Sequence, residues 1–315
     1  MVAHNLLAKF PSITTRPLLT DADFWRVHQL LIDCYTTTPL GFTWDIRRWE
    51  GKRFYDEHPT WPPPQSQLWE TVDGRLVGVV HPEGGGEVHL QVHPDFRHIE
   101  PALVAWAEEH LVEEIEPGLQ RRLSLFVYDY DTARQQLLLI RGFTKQHDGG
   151  VIRRYHFGAA VPIRPQLPAG YTLRTTQPTE LADCQRVADL LNAAFNRNFH
   201  TALEYQTFTK LAPSFRPDLD LVAVAPNGEF AAYVGIPYDA ANRHGIFEPV
   251  CTHPAHRQKG LAKALMQEGL CRLHALGATT VTVDTGDMVP ANRLYDSIGF
   301  SEVCKGHFWC KVFGE

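Results

Sequence analysis

The sequence predicts a mixed α/β (α+β) protein of two tandem domains, each a mostly antiparallel twisted sheet flanked by helices. Three observations carry this. The chain has 315 residues, about two domains at ~100–200 residues each. Matched residues also recur at a nearly constant interval: Arg16 with Arg174, His93-Pro94 with His253-Pro254, and Gly142-Phe143 with Gly299-Phe300. The offsets are 158, 160 and 157 residues, and each His-Pro is followed by two residues and an arginine, Arg97 or Arg257. Such self-similarity is the signature of a duplicated unit. Between the copies lies GAAVPIRPQLPAG, whose prolines and glycines resist both helix and central strand. The expected division is a domain over 1–157, a proline-rich linker over 158–169 and a second domain over 170–315.

The elements of the second half follow in order. Residues 170–175 read as a strand, and 179–195 place apolar residues at helical spacing behind a Thr-Glu start. Residues 220–224 and 230–237 flank Pro226-Asn227-Gly228, a hairpin turn signal. Residues 245–252 read as one strand. A helix over 260–276 follows, with Leu261, Leu265, Leu273 and Leu276 on its apolar side and Gly277 as its stop. The β-branched run 279–284 is a strand, 291–297 a short helix and 307–313 a final strand. In the first half, the proline-rich run 59–64 reads as a loop before a strand at 67–71.

Composition excludes several classes. Apolar residues make up 44% and charged residues 21% of the chain, with a formal charge of −6. That is a globular composition without the basic field that would grip nucleic acid or an anionic membrane. No run approaches the ~18 apolar residues of a spanning helix, and the first residues read as no secretory leader. Six scattered cysteines without a C-x-x-C pair suggest reduced thiols and a cytoplasmic protein.

The chemistry is concentrated in EPVCTHPAHRQKGLAKAL. A strand ends at Thr252, turns through His253-Pro254 and enters a helix through Arg257-Gln258-Lys259-Gly260-Leu261-Ala262. Gly260 and Ala262 lack bulk, so successive backbone N–H groups can close on an anion at the positive end of the helix. Arg257 and Lys259 add cationic side chains at the same place. The physical reading is a pyrophosphate cradle.

This pattern resembles the R/Q-x-x-G-x-G/A acyl-CoA motif of the GNAT acyltransferase superfamily. The strand-ending Thr-His-Pro, the amphipathic helix, the β-branched strand and ANRLYDSIGF (291–300) occur in that family's order. The resemblance is specific over residues 245–303 and extends through the tandem repeat to the whole chain. It implies a GNAT-like fold in both halves, acetyl-CoA as acyl donor, and direct attack by an amine in a ternary complex. The first half departs from the motif. Its equivalent segment is Arg97-His98-Ile99-Glu100-Pro101-Ala102, with Glu100 in place of the glycine and Leu138 opposite Tyr295. A degenerate first domain without acyl-CoA is expected.

The resemblance also suggests roles. Glu248 is a base, or else a substrate-binding or ion-paired carboxylate. Tyr295, before Gly299-Phe300, is the acid for the departing thiolate, or else a core tyrosine. Backbone N–H groups of Val250, Cys251 and Thr252 polarise the thioester carbonyl. Where the family often has Asn, seven residues before the tyrosine, this chain has Met288; Asn292 is the alternative pantetheine contact.

Other constellations read as ordinary. Cys251 and His253 lack a third orienting group, and Cys251 reads as a small core residue. His81, His89, His93 and His98 follow no zinc spacing, so no metal is expected. Gly84-Gly85-Gly86 is a turn without a dinucleotide pattern. Aromatic residues Phe195, Phe199, Tyr205, Phe208 and Phe215, with Tyr35, Phe42, Trp44 and Trp49, could wall an amine pocket or form core. The expected partners are a coenzyme A thioester and a small-molecule amine, without nucleic acid or membrane, in a monomer or homodimer. A non-enzymatic acyl-CoA sensor and a protein lysine or N-terminal acetyltransferase remain open.

Overall fold

A computed structural model describes residues 11–37, 44–55, 65–114, 121–286 and 288–314. The proline-rich run 59–64 and Phe42 lie outside the described residues. The elements in chain order are β1 (Ile13–Pro17), α1 (Asp21–Thr37), α2 (Ile46–Phe54), β2 (Gln67–Thr71), β3 (Leu76–Gly84), β4 (Glu87–Val92), α3 (Glu100–His110), β5 (Glu113–Glu114), β6 (Arg121–Tyr128), α4 (Thr132–Ile140) and β7 (Thr144–His156). They continue with β8 (Thr172–Thr175), α5 (Leu181–Phe195), α6 (Ala202–Leu211), β9 (Leu221–Val224), β10 (Phe230–Val234), β11 (Tyr238–Asp239), β12 (His244–Ile246), β13 (Val250–Thr252), α7 (Leu261–Ala275), β14 (Thr280–Thr285), α8 (Val289–Ile298) and β15 (Glu302–Phe313).

These elements form two compact units that interleave the chain. One takes in the described residues of Met1–Thr43, Pro62–Leu125 and Cys310–Glu315; the other those of Trp44–Trp61 and Phe126–Trp309. The units therefore do not follow the halves 1–157 and 170–315 read from the repeat: α2, α4 and β7 sit in the unit that contains residues 170–309.

In the first unit, β1, β2, β3 and β4 pair antiparallel in order, and β4 runs parallel to β6. Strand β3 is buried on both faces from Leu76 to His81, Gly78 facing Leu103 of α3 and Ile99, and Leu68, Val77, Val79, Leu123, Phe24, Val27 and Val104 are all buried. Arg16 on β1 grips Asp23 on α1 with both terminal nitrogens.

The second unit holds two sheets. One runs β15-β7-β14-β12-β11, with β14 antiparallel to β7 and parallel to β12. The other runs β13-β10-β9-β8 and is antiparallel throughout. The hairpin between β9 and β10 closes through Gly228 in the left-handed region, as Pro226-Asn227-Gly228 requires. Arg174 on β8 repeats the Arg16 arrangement, gripping Asp183 of α5 at 2.6 and 2.9 Å. Helix α7 buries Leu261, Leu265, Met266, Leu270 and Leu273; Leu276, expected on that face, is its half-exposed C-cap.

One sequence expectation fails instructively. Residues 245–252 form two strands in different sheets. Ile246 pairs parallel with Thr282, and the Phe247 N–H donates to Thr282 O at 2.8 Å. The Glu248 N–H then donates to Gly235 O at 3.0 Å, and Gly235 donates to Pro249 O at 3.1 Å. Pro249 has no N–H to continue the first ladder, so the chain leaves β14 and follows β10.

Candidate active site

The divergence of β13 from β14 opens the site. Val250, Cys251 and Thr252 lie opposite Val234, Tyr233 and Ala232. Antiparallel alternation gives Cys251 to the ladder and turns the amides of Val250 and Thr252 to the open side. The Cys251 side chain faces a core cluster with Tyr233 and Val187, and burial pushes its thiol up to about 12. Cys251 is a core residue, as the sequence suggested.

Beyond Thr252, His253 accepts from the Ala255 N–H at 3.2 Å and starts one tight turn. Gln258 and Gly260 take positive φ, +63° and +76°, and the Gly260 carbonyl accepts from Ala264 to begin α7. No side chain caps this helix, and a Cβ built on Gly260 meets nothing within 4 Å. The first-turn amides of a 15-residue helix thus face open space beside Gly260, an arrangement that fits a pyrophosphate. Leu261 is buried and anchors the turn, while Ala262 is half-buried. Arg257 donates to the Ala194 carbonyl at 3.0 Å and Lys259 to the Tyr171 hydroxyl at 2.9 Å. Both cations therefore stay at the cradle on fixed partners.

Glu248 lies half-buried at the bend, and its Oε1 is 3.3 Å from Nη1 of Arg47 on α2. Asp45, the N-cap of α2, and Asp284 on β14 are close enough to interact electrostatically with it. Burial first, then the Glu248 charge, raises the Asp45 carboxyl to about 7. Asp284 is raised to about 6, again first by desolvation, with Arg48 opposing and Glu248 adding. Asp284 nevertheless stays open to solvent, so one of the three interacting carboxyls is at the surface. The Tyr295 ring is buried against Phe300, and burial followed by the Asp284 charge pushes its hydroxyl up to about 12. That hydroxyl makes no hydrogen bond among the described residues. Asn292 is turned elsewhere: its side-chain amide donates to Gly286 and Met288 carbonyls, both at 3.1 Å.

Residues 184–300 match the model of the acetyltransferase (GNAT) family. An N-acetyltransferase of Bacillus subtilis (strain 168), YsnE, described as uncharacterized, is 29% identical over 91 residues, 28% of this chain. The match spans 56% of that protein's own length. The whole chain has the fold of tandem GNAT proteins. A GCN5-related N-acetyltransferase from Sphaerobacter thermophilus superposes with a TM-score of 0.65 at 21% identity, covering 95% of each chain. A tandem GNAT protein from the clavulanic acid biosynthesis pathway gives 0.67 at 18% identity, covering 96% of this chain and 99% of its own.

The first half carries a different residue at the position matching Gly260. Glu100 is 3% exposed and takes both Nε and Nη2 of Arg97, at 2.7 and 3.1 Å. Its carboxylate sits on the arginine that would otherwise meet a phosphate. His93 accepts from the Asp95 N–H at 3.2 Å, as His253 does from Ala255, so the turn is kept in both halves. Leu138 is fully buried where the second half has Tyr295.

Sequence reasoning missed α2. Nothing in its nine residues signals that Arg47 meets Glu248, 201 residues further on. It also missed Asp220, which is buried and accepts from Tyr233 at 2.6 Å, Tyr205 and Thr176. Of the aromatics left open between pocket wall and core, Tyr205 and Phe208 are core, while Phe195 and Phe199 are exposed, with Arg197 over both rings.

Proposed function

We propose that the protein is an acetyl-CoA-dependent N-acetyltransferase acting on a primary amine of a small molecule. The carrying observation is the convergence of Glu248, Asp45 and Asp284 with the free Tyr295 hydroxyl at the point where β13 leaves β14. Clustered carboxylates attract an ammonium, and one of them can take its proton. In this reading the amine nitrogen attacks the thioester carbonyl carbon and its proton passes to Glu248. The Val250 and Thr252 amides bear the developing oxyanion charge. The C–S bond then breaks, and Tyr295 gives its proton to the leaving sulfur and is re-protonated from solvent. The products are an amide and free CoA.

Residues 257–262 would hold the pyrophosphate, with residues 1–157 a degenerate copy that binds no acyl-CoA. A cytoplasmic location goes with this reading. Among the described residues no helix is long and apolar enough to cross a membrane.

The test is a thermal-shift titration with acetyl-CoA on wild type and Gly260→Glu, followed by a CoA-release screen over primary amines. Saturation at ~100 Kd should add about 2.7 kcal/mol to wild type and nothing to the variant. On the amine that turns over, Tyr295→Phe should lower kcat tenfold or more, within the range of general acid catalysis, and leave acetyl-CoA affinity within about twofold. No thermal shift in either protein would sink the reading; a shift without CoA release from any amine would favour an acyl-CoA sensor.

A further inference from the structure

We propose that Arg47 is the positioning residue for Glu248: α2, supplied by the sequence half without the glycine cradle, holds the base in place through its ion pair. This rests on the reading of Glu248 as the base.

The geometry is built from both sides of the ion pair. The Arg47 side chain is 18% and that of Glu248 33% exposed, so the pair is partly sheltered from screening. On its far side the guanidinium lies 5.2 Å from the Tyr55 ring centre and 5.7 Å from that of Phe208. Those rings are themselves stacked at 4.3 Å. A Cβ on Gly51, one helical turn beyond Arg47, would stand 3.4 Å from Nη1, in van der Waals contact, and a larger side chain would press on the guanidinium. A nine-residue helix with a central glycine has little stability of its own. It is held by the Asp45 cap on the Arg48 N–H at 2.9 Å and by fully buried Glu50, which accepts from the Ser214 hydroxyl.

The groups facing Glu248 give this contact its purpose. Asp45, Arg47 and Arg48 come from α2 and Asp284 from β14; Tyr128 on β6 and Tyr295 on α8 feel the same charges. Three interacting carboxyls do not all ionise at once, and their protons are shared. Asp45 and Asp284 are pushed up toward neutrality, while the Arg47 ion pair goes to Glu248. Pushing neighbouring groups apart in this way is how a site separates its acid from its base.

The experiment uses the full chain labelled with [13Cδ]glutamate, the Glu248 signal being the one absent from Glu248→Gln. Its titration is followed from about pH 4 to pH 9 in wild type, Arg47→Met and Arg47→Lys. The midpoint should move upward by about one pH unit or more when the opposite charge is removed, and return close to wild type with lysine. Should Arg47→Met not fold, Gly51→Val, which keeps the charge but crowds the guanidinium away, should give the same upward movement. An unmoved signal in a folded variant overturns the positioning role and leaves the base reading standing. Retained CoA release by Glu248→Gln, on the amine found by the screen, overturns the base reading and with it the purpose assigned to Arg47.

Discussion

Asp45 does two opposed jobs. As N-cap it accepts from the Arg48 N–H, a contact that favours the helix. As a buried carboxyl near Glu248 it is raised to about 7. A carboxyl whose folded-state value lies above its unfolded ~3.9 costs stability as pH rises from that value through about 7, because the native state holds the proton more tightly. Asn keeps the cap without the charge. Asp45→Asn should therefore raise Tm at pH 8 relative to wild type, with the gap closing as pH falls toward 4; a gap independent of pH would remove Asp45 from the carboxyl cluster. A site that costs stability in this way is expected where ionised groups are held for chemistry.

At the scale of elements, the duplication is written in the strand-to-helix clasp. Arg16 with Asp23 and Arg174 with Asp183 each tie the first strand of a half to its first helix. Both aspartates are almost fully buried. Burial works to raise them, but the arginine bonds and backbone N–H donors outweigh it, so both stand below the ordinary carboxylate range. Their stabilisation is present above the unfolded value of ~3.9 and is lost as pH falls below it. Acid titration should unfold the wild type below about pH 4, and Asp183→Asn should flatten that limb as followed by circular dichroism. An unchanged acid limb would assign the clasp no share in stability.

Much at this scale was legible in the sequence. Helices α5 and α7, the hairpin at 226–228 and strand β2 all follow local periodicity and turn chemistry. The break at 246–250 was not, because residues 245–252 alternate like one strand and the partner change is set by Gly235 and Thr282, far along the chain. The turn and helix start at 257–262 were visible because their signals, Gly260 above all, are local. The Arg47–Glu248 pair was invisible because it joins residues of opposite halves.

For the whole molecule, the interleaving decides what can be cut. Six residues of β14, Thr280 to Thr285, pair with β7 from His156 to Val151. Separating the chain within 158–169 would strip that edge and remove α2 with Arg47 from the unit that carries the cradle. Expressed alone, residues 158–315 should form no cooperative fold and release no CoA, whereas co-expression with 1–157 should restore a single complex. Size-exclusion chromatography and melting of the two preparations decide it; a monomeric, cooperatively melting 158–315 fragment would make the exchanged strand dispensable.

The pairing of β7 with β14 also bears on how the protein is made. On the ribosome, β7 emerges more than a hundred residues before the strand it must lie against. During that interval its edge amides and carbonyls have no native partner on the β14 side, and an open edge recruits other strands. Domain-by-domain completion, the usual safeguard of long chains, is denied to this one. Its nascent form should depend on chaperones until β14 appears, and point changes that slow synthesis between the two strands should reduce yield without altering the finished enzyme.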